Sequence, residues 1–312
     1  MTGQDPRQQR IVTITVNPAL DVAASVSQLA PERKLRCDAP TREAGGGGVN
    51  VARAIHALGG NATACLAVGG ATGDTVLSIL EGEGVGVRVV RTREWTRENV
   101  NIVERATGNQ FRFCMPGPRL ADAEWQQLIE QAASVHPEVV VLSGSLTGGV
   151  PADFYVRAAK RLGGRIIVDT SGDALLACRG VGVHLVKASL REFAMLVGAT
   201  RVEDAQLRPL AAQAVARGVC EVLVVSLGPA GALWTTASEQ ERLVAPVVPV
   251  RSSVGAGDTM VAGIALALAR GGSLAEAMRY GVAAGSATVM RPATALCRRE
   301  DVEQLLPQVR AA

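Results

Sequence analysis

Short β-branched runs recur along this chain, each closed by a turn or charged residue and followed by a helix-length pattern. Residues 11–16 read Ile-Val-Thr-Ile-Thr-Val and stop at Asn17-Pro18, and comparable runs occupy 62–68, 85–90, 139–142, 165–169, 183–186 and 221–226. Strand-length apolar runs separated by helical segments predict β–α–β units, and a parallel sheet covered on both faces requires such continuous apolar strands. The expected fold is α/β, with a mostly parallel central sheet. A chain of 312 residues, 48% hydrophobic but only 3% aromatic, can bury one large core of closely packed strands and helices.

Two stretches break the rhythm. Residues 22–44 read as short strands, and 98–104 and 110–115 alternate like antiparallel partners around Thr107-Gly108-Asn109. They predict one small β sheet from 22–44 and 93–115, a lid beside a core of 11–21, 45–92 and 116–312. Such a sheet exposes a face unless it covers a site or pairs with a second copy. Residues 1–10 are polar and read as a disordered lead with no signal-peptide run. No apolar stretch approaches the ~20 residues that span a bilayer, so no membrane partner is expected. The six cysteines (Cys37, Cys65, Cys114, Cys178, Cys220, Cys297) and three histidines (His56, His136, His184) lack metal spacing; the cysteines suit a reducing cytoplasm. A net charge of +3 and few aromatics argue against nucleic acid.

The chemistry gathers first at Arg251-Ser252-Ser253-Val254-Gly255-Ala256-Gly257-Asp258, which opens directly into an apolar helical pattern. Glycines allow close backbone approach, and a helix start adds free N–H groups and a positive dipole end. Together they make an anion hole suited to phosphate, with Asp258 beside it as a carboxylate able to take a proton. By itself the aspartate also fits ordinary helix capping. A second glycine tract, 45–48, leads through Val49-Asn50 into a helix at 51–58, as a loop wrapped around a small polar ligand would. Asp21 follows the first strand, on the side where open α/β sheets bind ligands. No Gly-Lys dipeptide exists, which removes Walker-type nucleotide hydrolases, and the absence of G-x-G-x-x-G argues against a nicotinamide oxidoreductase.

Four separated strings occur in one order: N-P-A-L-D at 17–21, G-G-G-G-V-N-V-A-R at 45–53, V-S-L-G-P-A-G at 225–231 and V-G-A-G-D at 254–258. In this the chain resembles the PfkB family of ribokinase-like sugar kinases over nearly its whole length. K-L-R-C at 34–37, W-T-R at 95–97, F-R-F-C-M-P-G at 111–117 and G-V-A-A-G-S at 281–286 are similar to the branch that phosphorylates fructose 6-phosphate. The resemblance implies a three-layer α/β/α core with a small β lid. It also implies ATP-dependent phosphorylation of the sugar's 1-hydroxyl, with tagatose 6-phosphate or fructose 1-phosphate as alternative substrates. A catalytically silent sugar-phosphate sensor on the same fold is a reading of another class, and the retained Asp258 and G-A-G argue against it.

Carried over residue by residue, Asp258 is the general base, and Gly255, Ala256 and Gly257 form the anion hole. Asp21, Gly46, Gly47 and Asn50 hold the sugar; Lys34, Arg36, Arg97 and Ser145 hold its phosphate. Lys187, Ser226, Gly228, Gly231, Val282 and Ser286 line the ATP site. Glu192 acts on Mg²⁺ through water. Ser252, Val254 and Thr288 match a loop that holds K⁺, although Ala293 stands where a glycine is usual. Ser189 replaces the family's asparagine and serves either the Mg²⁺ shell or, with Glu192, a helix capping box. The lid implies a homodimer.

Overall fold

Residues 8–292 and 294–312 are described by the computed structural model. The chain begins with β1 (Ile11–Thr15), β2 (Ala19–Val26), β3 (Thr41–Gly45), α1 (Gly47–Ala57), β4 (Ala62–Val68), α2 (Gly70–Gly82) and β5 (Gly86–Arg91). Next come β6 (Arg97–Glu104), β7 (Gln110–Cys114), α3 (Asp122–Ala133), β8 (Val139–Ser143), α4 (Phe154–Leu162), β9 (Arg165–Asp169) and α5 (Gly172–Ala177). The rest is β10 (Leu185–Ser189), α6 (Leu190–Leu196), α7 (Asp204–Ala216), β11 (Val222–Ser226), β12 (Ala232–Thr235), β13 (Gln240–Val244), α8 (Ala256–Ala269), α9 (Leu274–Val289), α10 (Arg299–Leu305) and β14 (Arg310–Ala311).

A ten-stranded sheet runs β14-β13-β12-β11-β10-β9-β8-β1-β4-β5. From β11 to β5 every pairing is parallel, while β12, β13 and β14 add an antiparallel edge. The β-branched runs became the parallel strands because both sheet faces are covered; every residue of β1 and of β8 is buried. One face packs against α1, α2, α8, α9 and α10, the other against α3 to α7. The result is the expected three-layer α/β/α core. The chain turns one way from β1 to β4 and the other way to β8, so a ligand crevice opens at the carboxyl ends of β1 and β8. Among the described residues no helix is long and apolar enough to cross a membrane.

A second sheet runs β3-β2-β6-β7. Its register sets Asp21 beside both Glu43 and Asn99, and Asn101 beside both Ala23 and Arg112. Paired residues share a face, so these polar residues line one side of the sheet. The alternate positions Val22, Val100, Ile102, Phe111 and Phe113 line the other. Residues 27–40 form a connection without strands.

Several boundaries differ from those expected. β2 begins at Ala19 and β3 runs to Gly45, so the small sheet takes in Asp21 and the first glycine of the tract. Helix α1 starts at Gly47, inside the tract rather than at Val51, because packing against β1 and β8 outweighs glycine's poor helix propensity. Strand β10 continues past Lys187 to Ser189. Of the polar lead, residues 1–7 lie outside the described residues; Gln9 donates its N–H to the Ala269 carbonyl. Ala293, a position of doubt for the cation loop, also lies outside them.

Candidate active site

The carboxyl ends of the parallel strands deliver the charged groups. Lys187, on β10, forms an ion pair of 2.9 Å with Asp169 at the end of β9, and both are about nine-tenths buried. Burial alone would drive the proton off the lysine, but Asp169 and Asp258 outweigh it and hold the ammonium charged. Its Nζ lies against the start of α8: a Cβ on residue 257 would sit 2.8 Å from it and press on the ammonium. Gly255 caps the helix at φ 75°, the left-handed conformation that a side chain resists. The first-turn N–H groups of α8 have no partner within the helix, as at any helix start.

Asp258 stands in that first turn and accepts a hydrogen bond of 2.8 Å from Asn50 Nδ2 of α1. Burial, reinforced by the negative Asp169, pushes its carboxyl up to about 7, although Asn50 and Lys187 pull the other way. The bond spans 208 residues of sequence and joins the two glycine motifs. Gly46 precedes α1 at φ 109°, and Gly47 presses on Ser143 and Gly144 at the end of β8. The two glycine tracts therefore lie on either side of the Asn50–Asp258 bond.

The small sheet supplies the opposite wall. Asp21 Oδ1 accepts 2.8 Å from Asn99 Nδ2, and burial raises its carboxyl despite Asn99, Arg97 and Arg112. Arg97 donates to the carbonyls of Asn17 and Met115, each at 3.3 Å, and its Nε has no partner. Asn17 donates to Ser145 Oγ at 3.2 Å, linking Arg97's neighbourhood to the loop after β8. Lys34 and Arg36 are not brought in; both are exposed on the 27–40 connection. Contacts that tie the small sheet to the core include Arg53 Nη1 to the Ala44 carbonyl at 2.8 Å, Gln110 Nε2 to the Arg251 carbonyl at 3.4 Å, and Thr294 to the Glu43 carboxylate.

Beside α8 lies a cavity of about 390 Å³ lined by Ser226, Gly228, Gly231, Val282, Ser286 and Ala256, with valines at its mouth. Its size and apolar lining fit a nucleoside. It adjoins Gly257, so a nucleotide seated there would point its phosphates at the α8 amides.

Ser189 caps helix α6. Its Oγ accepts from Glu192 N at 3.3 Å, and Glu192 Oε2 accepts from Ser189 N at 2.7 Å. That is a capping box. Glu192 still acts electrostatically on Asp169 and Lys187. At the other loop Ser252 is buried with its Oγ accepting from Val254 N at 3.2 Å, and Thr288 Oγ1 is buried without a hydrogen-bond partner of ordinary geometry. Sequence reading missed Asp169 and Asn99. Asp169 did carry a signal, as an acid closing a parallel strand, whereas only the register of β2 on β6 brings Asn99 to Asp21.

Fold and site together define an α/β phosphotransferase, with a nucleotide cavity, a helix-start anion hole and an acid poised between them. The chain belongs to the pfkB family of carbohydrate kinases, whose model matches residues 13–301. It is 44% identical over 301 residues to the ATP-dependent 6-phosphofructokinase isozyme 2 of Escherichia coli, covering 95% of this chain and 97% of that one. Identity to the isozyme 2 of Mycobacterium tuberculosis is 43% over 305 residues, covering 96% and 90%. The crystal structure of E. coli phosphofructokinase-2 in complex with potassium superposes with a TM-score of 0.92 at 43% identity, covering 96% of this chain and 99% of that one. The same enzyme in complex with fructose-6-phosphate gives 0.89 at 42%, with the same coverage.

Proposed function

We propose that this chain transfers the γ-phosphoryl group of ATP to the 1-hydroxyl of fructose 6-phosphate, giving fructose 1,6-bisphosphate. The observation that carries the reading is the Asp258 carboxylate, held by Asn50 at the anion-binding start of α8 and pushed up to about 7. A base near neutrality suits proton removal from a hydroxyl, and phosphoryl transfer otherwise needs positioning and charge neutralisation. Gly255, Ala256 and Gly257 supply backbone donors for the moving phosphoryl group, and the Lys187 ammonium offsets its charge. Asp21, Gly46, Gly47 and Asn50 hold the sugar hydroxyls. Arg97 and Ser145 bind the 6-phosphate, with Lys34 and Arg36 joining from the 27–40 connection. The matched relatives named 6-phosphofructokinase support this substrate.

Magnesium would arrive on the ATP phosphates and neutralise their charge. Magnesium commonly keeps several waters and is held by substrate phosphates with one or two carboxylates. Glu192 would act on it through water, with the Asp169–Lys187 pair close enough to feel the Glu192 charge. Potassium would sit at Ser252, Val254 and Thr288, where the buried Thr288 hydroxyl offers a ligand oxygen. The small sheet acts as a lid, and its apolar face, with Phe113 47% exposed, pairs two chains into a homodimer. A cytoplasmic site of action accords with all six cysteines being free.

The test is a set of initial rates with ATP and Mg²⁺ across fructose 6-phosphate, tagatose 6-phosphate and fructose 1-phosphate. The highest kcat/KM is expected for fructose 6-phosphate, with the new phosphate on C1 by ³¹P NMR. Preference for another ketose phosphate would replace the substrate, and no turnover of any would end the kinase reading.

A further inference from the structure

Asn101 is an anomaly of the small sheet. It lies on β6 with only 7% of its surface exposed, and neither its Oδ1 nor its Nδ2 has a hydrogen-bond partner. Buried carboxamides are nearly always paired, because an unpaired one forfeits its bonds to water. Its position gives the unpaired amide a direction. The register places Asn101 beside Ala23 and Arg112, on the face that carries Asp21, Asn99 and Arg97. Ala23, opposite it, has no polar side-chain group to offer. Arg112 turns to the same side, since its charge acts on Asp21.

The order along that face matters. From the root of β6 outward come Arg97, Asn99, Asn101 and Val103, and Val103 pairs with Gln110. Gln110 touches the Arg251 carbonyl, just ahead of the α8 anion hole. Asn101 therefore lies between the Asp21–Asn99 pair and the nucleotide-side loop, roughly 6.5 Å along the strand from Asn99. We propose that Asn101 is a further substrate-positioning residue, its carboxamide hydrogen-bonding the sugar phosphate at its reacting end. This rests on the kinase reading above and adds to it a residue that neither the sequence motifs nor the site's ion pairs single out. A carboxamide offers both a donor and an acceptor, which suits a hydroxyl that must give up its proton toward Asp258 without being held by a second charge.

The unpaired state also separates this role from a structural one. Removing an amide that bonds nothing in the free protein costs no hydrogen bond, so stability without sugar should not fall. Asn101→Ala and the near-isosteric Asn101→Leu are compared with the parent by initial rates and by melting with and without fructose 6-phosphate. Both should raise the sugar-phosphate KM roughly 3- to 10-fold, the scale of one neutral hydrogen bond, while the ATP KM stays within about two-fold. Both should melt no lower than the parent without sugar, and the Tm gain on adding fructose 6-phosphate should shrink. An unchanged sugar-phosphate KM in both variants overturns the proposal, as does a rise confined to a variant that also melts lower. A parent that does not phosphorylate fructose 6-phosphate overturns the substrate reading instead, and the same comparison is then run with whichever ketose phosphate the parent turns over.

Discussion

Asp258→Asn should leave the protein almost inactive and yet more stable, with the stability gain growing as pH rises. Burial lifts the carboxyl from an ordinary 3.8 to about 7. Between those values the folded protein keeps a proton that the unfolded chain releases. The stability this proton confers is therefore complete below 3.8 and lost as pH climbs to about 7. The full displacement corresponds to an upper limit of ~4 kcal/mol. Asp258 is not sealed off, since it faces the crevice with intermediate exposure, and solvent screening brings the expected cost to about 2 kcal/mol above pH 7. Asparagine keeps the shape and can still accept from Asn50, but it carries no buried charge.

Denaturant or thermal unfolding of parent and variant at pH 5 and pH 8 measures the effect. The variant should melt roughly 3 °C higher at pH 8, with a smaller gain at pH 5. Turnover should fall by at least ~10², the usual scale for a lost general base. The parent's own kcat should rise roughly tenfold from pH 6 to pH 8 as the base loses its proton. A variant less stable than the parent at pH 8, or a gain independent of pH, would refute the buried-charge argument. A variant that turns over within a few-fold of the parent would refute the catalytic one.

Arg97→Ala should raise the KM for fructose 6-phosphate about 10- to 150-fold and leave that for ATP unchanged, because charge-assisted bonds to a phosphate are lost. Equal loss for both substrates in initial-rate assays would make Arg97 structural, through its bonds to the Asn17 and Met115 carbonyls. Ser189→Ala should lower stability by about 0.5–2 kcal/mol, the worth of a helix cap, without moving the half-saturating Mg²⁺ concentration. A shifted Mg²⁺ titration with unaltered melting would return Ser189 to the metal shell. Phe113→Glu should convert a dimer to a monomer in sedimentation, since a charge on the apolar face of the small sheet opposes its burial. A parent that already sediments as a monomer at micromolar concentration, fully active, would rule out pairing through that face.

What the sequence determined by itself was what repeats locally or depends on backbone freedom. The period and β-branching of 11–16, 139–142 and 165–169 specified parallel strands, because a strand buried on both faces leaves no polar alternation to misread. The glycines of 45–48 and 255–257, with Asn50 and Asp258 beside them, were legible as two loops where the backbone comes close to a neighbour. Tertiary structure alone decided that the loops meet. The Asn50–Asp258 bond joins residues from two helices far apart in the chain, and no local pattern encodes it. The same holds for Asp169 with Lys187, which follows from strand order β9-β10, and for Asn99 with Asp21, which follows from the parallel register of β6 on β2. Ser189 marks the other limit. As a residue type it suits a water-bound metal or a helix cap equally, and only the position of Glu192 N, 3.3 Å from its hydroxyl, shows that it caps.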